Sequence, residues 1–340
     1  MERAGSIHIS GYPRSLVREI AMNRLALGVA VLLALCLGGM PRAQAETIAV
    51  FTKNQGSPIF AALRAGAAVA AKNFGVQVVH YIPSTPDSVA QQNKLVDDAI
   101  KDKPDAIVFV PVKFTEADSA VKKINAAQIP LVNANERLVS GNVVGYVGIN
   151  DVSLARETGR YLLKALNGSG NIVILDGPDK SFTAEGRGQG FRDVTKEFPG
   201  VKLLDAKPAN YRRAQAKQVV AGFLSRYASL DGILAGNDPM AMGAVDALKA
   251  ANRKALVAGI NASREVMDLI KSGDVVGSGD YDTFAQGCLA VEMAVRAIRK
   301  ENVPHELILK PTVIDKTNYA PFDQPLDKRE CPTLGNVDRQ

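Results

Sequence analysis

Several places in this chain set amide, carboxylate or ammonium side chains just beyond an apolar run. They are Lys53-Asn54, Asn135-Glu136, Asn150-Asp151, Asn237-Asp238, Asn261 and Asp280. Amides and carboxylates are planar hydrogen-bonding groups, and an arginine such as Arg187 adds a fork of donors. Side chains of this kind could either catalyse or bind, and the two uses need different company.

Company for catalysis is missing. Beyond the N-terminal region the histidines are His80 and His305, and neither has a partner at metal-ligand spacing. The chain has no phosphate-cradling G-x-x-x-x-G-K-[ST] loop and no G-x-S-x-G elbow. The stretch "GRGQG" at 186–190 superficially resembles a dinucleotide loop, but it lies inside a helical pattern and does not directly follow a strand. No pair of carboxylates stands out as an acid and base couple. The expectation is a protein that is not an enzyme, with no catalytic residue, no metal and no cofactor. Asn, Asp and Arg with a few aromatic rings suit a polyhydroxylated ligand, whose hydroxyls need donors and acceptors and whose C–H faces pack on rings.

The elements that must hold these groups alternate. Strands are expected at 47–52, 76–82, 105–110 and 130–133, with helices at 59–74, 88–101 and 113–127. After "VVGYVGIND" (143–151) the rhythm restarts. A helix covers 153–166, and strands follow at 171–175, 201–204, 232–235, 256–260 and 275–278, with helices between them. Continuous apolar strands alternating with helices predict parallel sheets covered on both faces. A length of 340 residues fits two such units, and no Gly/Ser-rich linker divides them. Doubly wound sheets place ligands beyond the carboxyl ends of their strands. The polar residues collect there, so two facing rows make a cleft. In "LAGNDPMAMGA" (234–244), Asp238 reads as the helix N-cap with Pro239 at the first helical position. That leaves Asn237 to face the cleft.

Residues 22–45 carry Arg24, an apolar run at 25–39 and an Ala-Gln-Ala site at 43–45. This is the pattern of a secretory signal peptide cleaved after Ala45, too short to span a membrane. Residues 1–21 fit no part of it, so either Met22 is the start or the n-region is long. Full-length charge is +6. Without the segment 1–45, 36 basic and 33 acidic side chains remain, a net +3. With no basic patch, no Trp and 6% aromatic residues, nucleic acid is not an expected partner. Cys288 and Cys331 could bridge in an oxidising compartment, tying the C-terminal tail to a helix, or stay free thiols. The sequence gives no distance to decide between these.

The segments "TIAVFTKNQGSPIFAALRAGA", "DAIVFVPV", "IPLVNANE", "GRGQGFRD", "DGILAGNDPMAMGA" and "ALVAGINA" occur in order. Together they resemble the periplasmic sugar-binding proteins of ABC importers, specifically the ribose-binding-like group, over nearly all of 46–319. The signal peptide and the lack of an N-terminal helix-turn-helix separate the chain from the related repressors. The resemblance implies a type I fold: two similar doubly wound open-sheet α/β lobes joined by a three-segment hinge near Asn150, Asp280 and Thr312. Lobe 1 would be 46–149 plus 281–312, and lobe 2 would be 150–280 plus 313–325. The tail at 326–340 reads as loosely ordered unless Cys331 pins it.

The resemblance also implies a monomer that binds a monosaccharide or polyol between its lobes and delivers it to a membrane permease. The same kind of protein can instead serve a chemoreceptor or histidine kinase as a sensor. Carried over, the ligand contacts fall on Lys53, Phe60, Asn135, Glu136, Arg187, Tyr211, Asn237, Asn261 and Asp280. Phe60 and Tyr211 would face the sugar from either side, and Arg187 would bond its oxygens. Asn237 matches the family directly. Asn135-Glu136 stands where the family has Asp-Arg, Asn261 where it has Asp, and Asp280 where it has a hinge Gln. Ser57 and Ile59 also depart, from Asn and Phe. Lys53 replaces a small hydroxyl residue, as in the rhamnose and autoinducer-2 binders, and leaves an acidic sugar open. Residue type alone would also allow Phe60 to be core, Tyr211 a surface loop residue, Asn261 a turn residue and Lys53 or Arg187 to be solvated.

Overall fold

A computed structural model describes residues 45–340 other than Lys180; the leader segment before Ala45 lies outside the described residues. Two six-stranded sheets carry the fold. The first contains β1 (Thr47–Phe51), β2 (Gln77–Tyr81), β3 (Ala106–Phe109), β4 (Leu131–Ala134), β5 (Gly145–Ile149) and β11 (Glu306–Leu309). Their order is β11-β5-β4-β3-β1-β2, and all are parallel. The second contains β6 (Ser169–Asp176), β7 (Gly200–Pro208), β8 (Gly232–Ala235), β9 (Leu256–Ile260), β10 (Gly277–Asp280) and β12 (Thr312–Ile314). Its order is β12-β10-β9-β8-β6-β7, with β12 antiparallel to β10. In each sheet the chain runs first to one edge and then turns back, so the order reverses between β1 and β3 and between β6 and β8. A crevice forms beyond the strand ends at such a reversal.

Helices cover both faces of each sheet. On the first, α1 (Pro58–Phe74) packs against α9 (Thr283–Ile298), while α2 (Val89–Asp102) and α3 (Asp118–Ala126) meet on the other side. On the second, α4 (Asp151–Ala165) packs on α5 (Phe182–Thr195), and α6 (Arg213–Arg226) on α7 (Asp238–Ala250). A short helix, α8 (Met267–Ser272), follows β9. The central strands are mostly apolar and deeply buried, for example Ile48, Val50, Ile107 and Val108 in the first sheet and Ile172, Val173, Ile233 and Leu234 in the second, while the edge strands β2 and β7 are largely half-buried or exposed. The chain passes between the sheets three times: from β5 into α4, from β10 into α9, and from β11 into β12. Asn150 caps α4 at the first passage by accepting from Ser153 N–H at 3.0 Å.

Two local readings of the sequence need adjusting. The helix expected at 113–127 is a single 3-10 turn (Phe114–Glu116) followed by α3. The strand expected at 275–278 runs Gly277–Asp280, which makes Asp280 its last residue.

The tail is ordered. Cys288 of α9 and Cys331 form a disulfide across 43 residues, a loop closure worth about 2–4 kcal/mol. Beyond it, Leu334 N–H donates to Glu292 Oε2 at 2.8 Å. Gln340 N–H donates to Ile308 O at 3.0 Å, and Arg339 bridges Leu309 antiparallel at the edge of β11. Leu326, Leu334 and Val337 lie on the core of the first sheet.

Candidate functional site

Facing strand ends of the two sheets enclose a cavity of about 1020 Å³. Its second-sheet wall is built around Arg187, which the sequence of α5 places there. Gly186 and Gly190 face α4, where a Cβ on Gly190 would collide with Val152 O and Ala155 Cβ. Their lack of a side chain lets α5 lie close on α4, which brings Arg187 beside Asp151 at the start of α4. Arg187 Nε–H donates to Asp151 Oδ1 at 2.8 Å, and its Nη1 donates to Gly236 O at 2.8 Å and Asn261 Oδ1 at 3.2 Å. The guanidinium lies 4.7 Å from the Tyr281 ring centroid and 5.7 Å from that of Tyr211. Arg187 is 5% exposed. Burial opposes its charge, but the neighbouring Tyr211 and Asp151 outweigh it and hold the guanidinium charged. Burial pushes the Asp151 carboxyl up to about 6 against the pull of Arg187. Burial likewise raises Tyr281 and Tyr211.

The strand-to-helix turn after β8 reverses the expected roles of its polar pair. Asn237, not Asp238, is the N-cap of α7: its Oδ1 accepts from Met240 N–H at 3.0 Å. Its Nδ2 donates to Tyr211 O at 3.3 Å. Asp238 stands at the first helical position with its carboxylate turned into the sheet. There Ser278 Oγ–H donates to it at 2.6 Å and Ser263 N–H at 2.7 Å. The deeper hydrogen bonds from Ser278 on β10 and from the loop after β9 take the acid, which leaves the amide to cap. Burial pushes Asp238 up to about 6 despite these donors.

The first-sheet wall is simpler. Lys53 leaves β1 and Glu136 follows β4, and Lys53 Nζ lies 2.6 Å from Glu136 Oε1. Lys53 Nζ also sits 5.9 Å from the centroid of Phe60. Phe60 both lines the cavity and packs on the core of the first sheet. Asn133, which sequence reasoning passed over, shapes the loop behind Glu136. Its Nδ2 donates to Phe109 O at 3.1 Å and Glu136 O at 2.8 Å, and its Oδ1 accepts from Leu138 N–H at 2.9 Å. Asn135 adopts φ +68° and directs its Nδ2 to Gln286 Oε1 at 3.2 Å.

Lys53, Phe60, Asn135, Glu136, Arg187, Tyr211, Asn237 and Asn261 thus line one cavity, and Asp280 does not. Asp280 lines an adjoining cavity of about 640 Å³, which shares Pro58, Ile59 and Asn261 with the first, beside Asp282 and Arg329, and it accepts from Asp282 N–H at 2.8 Å. Burial, reinforced by Asp282, raises its pKa well above the ordinary carboxylate value. Sequence reasoning also passed over Tyr281, Phe114 and Phe182 in the main cavity. Each lies a few residues beyond a strand end, the same positional signal that singled out the polar residues. Among the described residues no cluster of three or more His, Cys, Asp or Glu could hold a metal, and no helix is long and apolar enough to cross a membrane.

These features define a type I periplasmic binding protein, and similarity to known proteins agrees. Residues 48–302 match the periplasmic binding protein domain family, and the chain belongs to it. It is 31% identical over 303 residues to a D-apiose import binding protein of Paraburkholderia graminis, covering 88% of this chain and 96% of that one. It is 30% identical to a xylitol-binding protein of Mycolicibacterium smegmatis, over 69% of this chain and 68% of that protein. A periplasmic solute-binding protein of an ABC transporter from Actinobacillus succinogenes, solved with bound D-allose, superposes with a TM-score of 0.77. The two are 28% identical over 81% of this chain and 99% of that chain.

Proposed function

We propose that this protein captures a neutral monosaccharide or small polyol between its two lobes and delivers it, as a monomer, to the permease of an ABC importer. Lobe 1 is 46–149 with 281–312, and lobe 2 is 150–280 with 313–325. A cleaved leader ending at Ala45 sends the chain to the periplasm. The observation that carries this reading is the pairing of the cavity's buried charges. Lys53 is matched by Glu136 and Arg187 by Asp151, so the cleft offers donors and acceptors without a net charge for an acidic ligand to neutralise. Phe60, Tyr211 and Tyr281 supply rings for the C–H faces of a sugar. The reading assigns no covalent step to any residue. Ligand binding stabilises whichever arrangement of the lobes it touches more fully, so closure follows from contacts made with both walls.

A thermal-shift screen over pentoses, hexoses, polyols and sugar acids tests the reading, because a ligand that binds only the folded chain raises Tm. A neutral sugar or polyol should give the largest rise, confirmed by calorimetry at one site per chain. A larger rise with a sugar acid would overturn the neutral assignment. A product peak accumulating during incubation with any of these compounds would overturn the binding-only reading.

A further inference from the structure

Cleft-lining side chains differ by depth. Lys53, Asn135, Arg187, Asn237 and Tyr281 are buried at the floor. The rim holds partly exposed apolar groups, and two of them meet. Phe114 belongs to the 3-10 turn after β3, on the first-sheet side. Phe182 opens α5, on the second-sheet side. Their ring centroids are 5.6 Å apart at 65°, an edge-to-face contact. Phe182 is nevertheless 50% exposed, an unusual place for a phenylalanine that packs on no core of its own. Neither ring belongs to a hydrophobic core cluster of either sheet. Each is the other's aromatic partner, from opposite sides of the cleft.

We propose that Phe114 and Phe182 form an aromatic gate whose contact holds the two lobes together over the ligand. The proposal rests on the cleft being the ligand site. Because the rings belong to different lobes, any motion that opens the cleft on this side separates them and returns two apolar edges to water. The contact therefore favours closure whether or not a ligand is present, lowering the closure free energy that ligand contacts must supply. The rings act on ligand release through lobe position, so they are positioning residues and not hydrogen-bonding contacts.

The test reads lobe separation directly in ligand-free protein. Spin labels go on Lys101→Cys in α2 and Gln218→Cys in α6, both exposed, with the Cys288–Cys331 bridge left intact. Pulsed electron resonance then gives the distance distribution. The parent should populate a short distance without ligand. Phe182→Ala should shift the closed-to-open ratio toward open by about twofold to tenfold, the scale of one aromatic pair. Phe114→Ala should do the same, the double variant should add little to either, and Phe182→Tyr should restore the parent distribution. Identical distributions for parent and both alanine variants would overturn the gate. So would additive effects of the two alanines, which would mean that the rings act separately. A sugar panel that binds nothing while the distance shift persists would sink the sugar reading and leave the gate standing.

Discussion

The two walls of the cleft hold their charges by different means. On the second-sheet wall, Arg187 is held through Nε and Nη1 by Asp151, Gly236 O and Asn261, with the Tyr281 ring against its guanidinium. Its planar fork meets acceptors set on three separate elements. On the first-sheet wall, Lys53 is a point charge on a flexible stem, matched by one carboxylate and one ring. A guanidinium in a rigid frame presents the same geometry to every ligand, whereas an ammonium and a carboxylate can turn together to meet hydroxyls in more than one arrangement. The second wall therefore sets the orientation of a ligand, and the first is where a change of ligand is most easily accommodated.

Arg187→Ala breaks that contrast most severely. It removes a cation from a dry frame and leaves Asp151 buried without its partner, a loss on the order of 3 kcal/mol in stability. Binding of the best ligand from the screen should fall by at least about a hundredfold, since a rigid multi-bond donor is lost. Because Asp151 can take up a proton, the fall in Tm should be smaller at pH 5 than at pH 7.5. Equal falls at both pH values would mean that Asp151 is not left uncompensated.

Lys53→Met should behave differently. It keeps the stem over Phe60 and removes only the charge, and Glu136 lies where water can reach it when the cleft opens. Affinity should drop about tenfold with a stability change of about 1 kcal/mol or less. The rank order of sugars should also shift, which Arg187→Lys should not cause. Calorimetry across the same panel checks this, and an unchanged rank order for Lys53→Met would place specificity on the other wall.

Much of this arrangement was legible in the sequence, for a definite reason. Apolar strands followed at once by polar residues mark strand ends, and in a doubly wound sheet those ends converge. Position alone therefore gathered Lys53, Asn135, Glu136, Asn237 and Asn261, while Arg187, inside α5, came only from the resemblance. What stayed hidden depended on neighbours far along the chain. The Lys53–Glu136 pair joins the ends of β1 and β4, which β3 separates in the sheet. Asp238 gave up the cap because Ser278 and Ser263 stand within reach, a fact of β-strand order and not of local pattern. Asp280 ends its strand two residues later than expected and lines the adjoining second cavity instead of the main one. The glycines of "GRGQG" had no visible purpose until α4 and α5 were seen in contact. The disulfide needed a distance, and the fold supplied it.

Asn237 sharpens the comparison on the second wall, because its two side-chain atoms do separate things. Asn237→Ser keeps an oxygen to cap α7 and removes the Nδ2 donor. It should weaken binding about threefold to tenfold and leave Tm within about 2 °C of the parent. Asn237→Ala should weaken binding by a similar factor and in addition cost about 1 kcal/mol of stability. Urea titration separates the two. If serine destabilises as much as alanine, the cap does not depend on the side-chain oxygen.

The mildest probe is pH, and it too divides the halves of the molecule. Among the described residues, the carboxylates raised by burial are Asp151, Asp238, Asp280 and Asp282, and they lie in the second half or at its passage to α9. Asp151 and Asp238 sit at about 6 in the fold, above the roughly 3.9 of a free aspartate. Between about pH 4 and 6 these acids bind more protons in the folded chain than in the unfolded one, so their contribution to stability falls as pH rises through that window, offset in part by His80, whose pKa burial and Arg64 hold down. Carboxylates held down by cations, such as Asp246 by Arg213 and Asp274 by Lys249, act in the opposite sense and only below about pH 4. Tm should thus be higher at pH 5 than at pH 7 by roughly 5 °C. Asp238→Asn should flatten that slope, because it deletes one raised carboxyl without touching the cleft. A parent Tm that does not change between pH 4.5 and 7 would show that these acids are hydrated, and that the second wall is not as dry as the geometry of Arg187 requires.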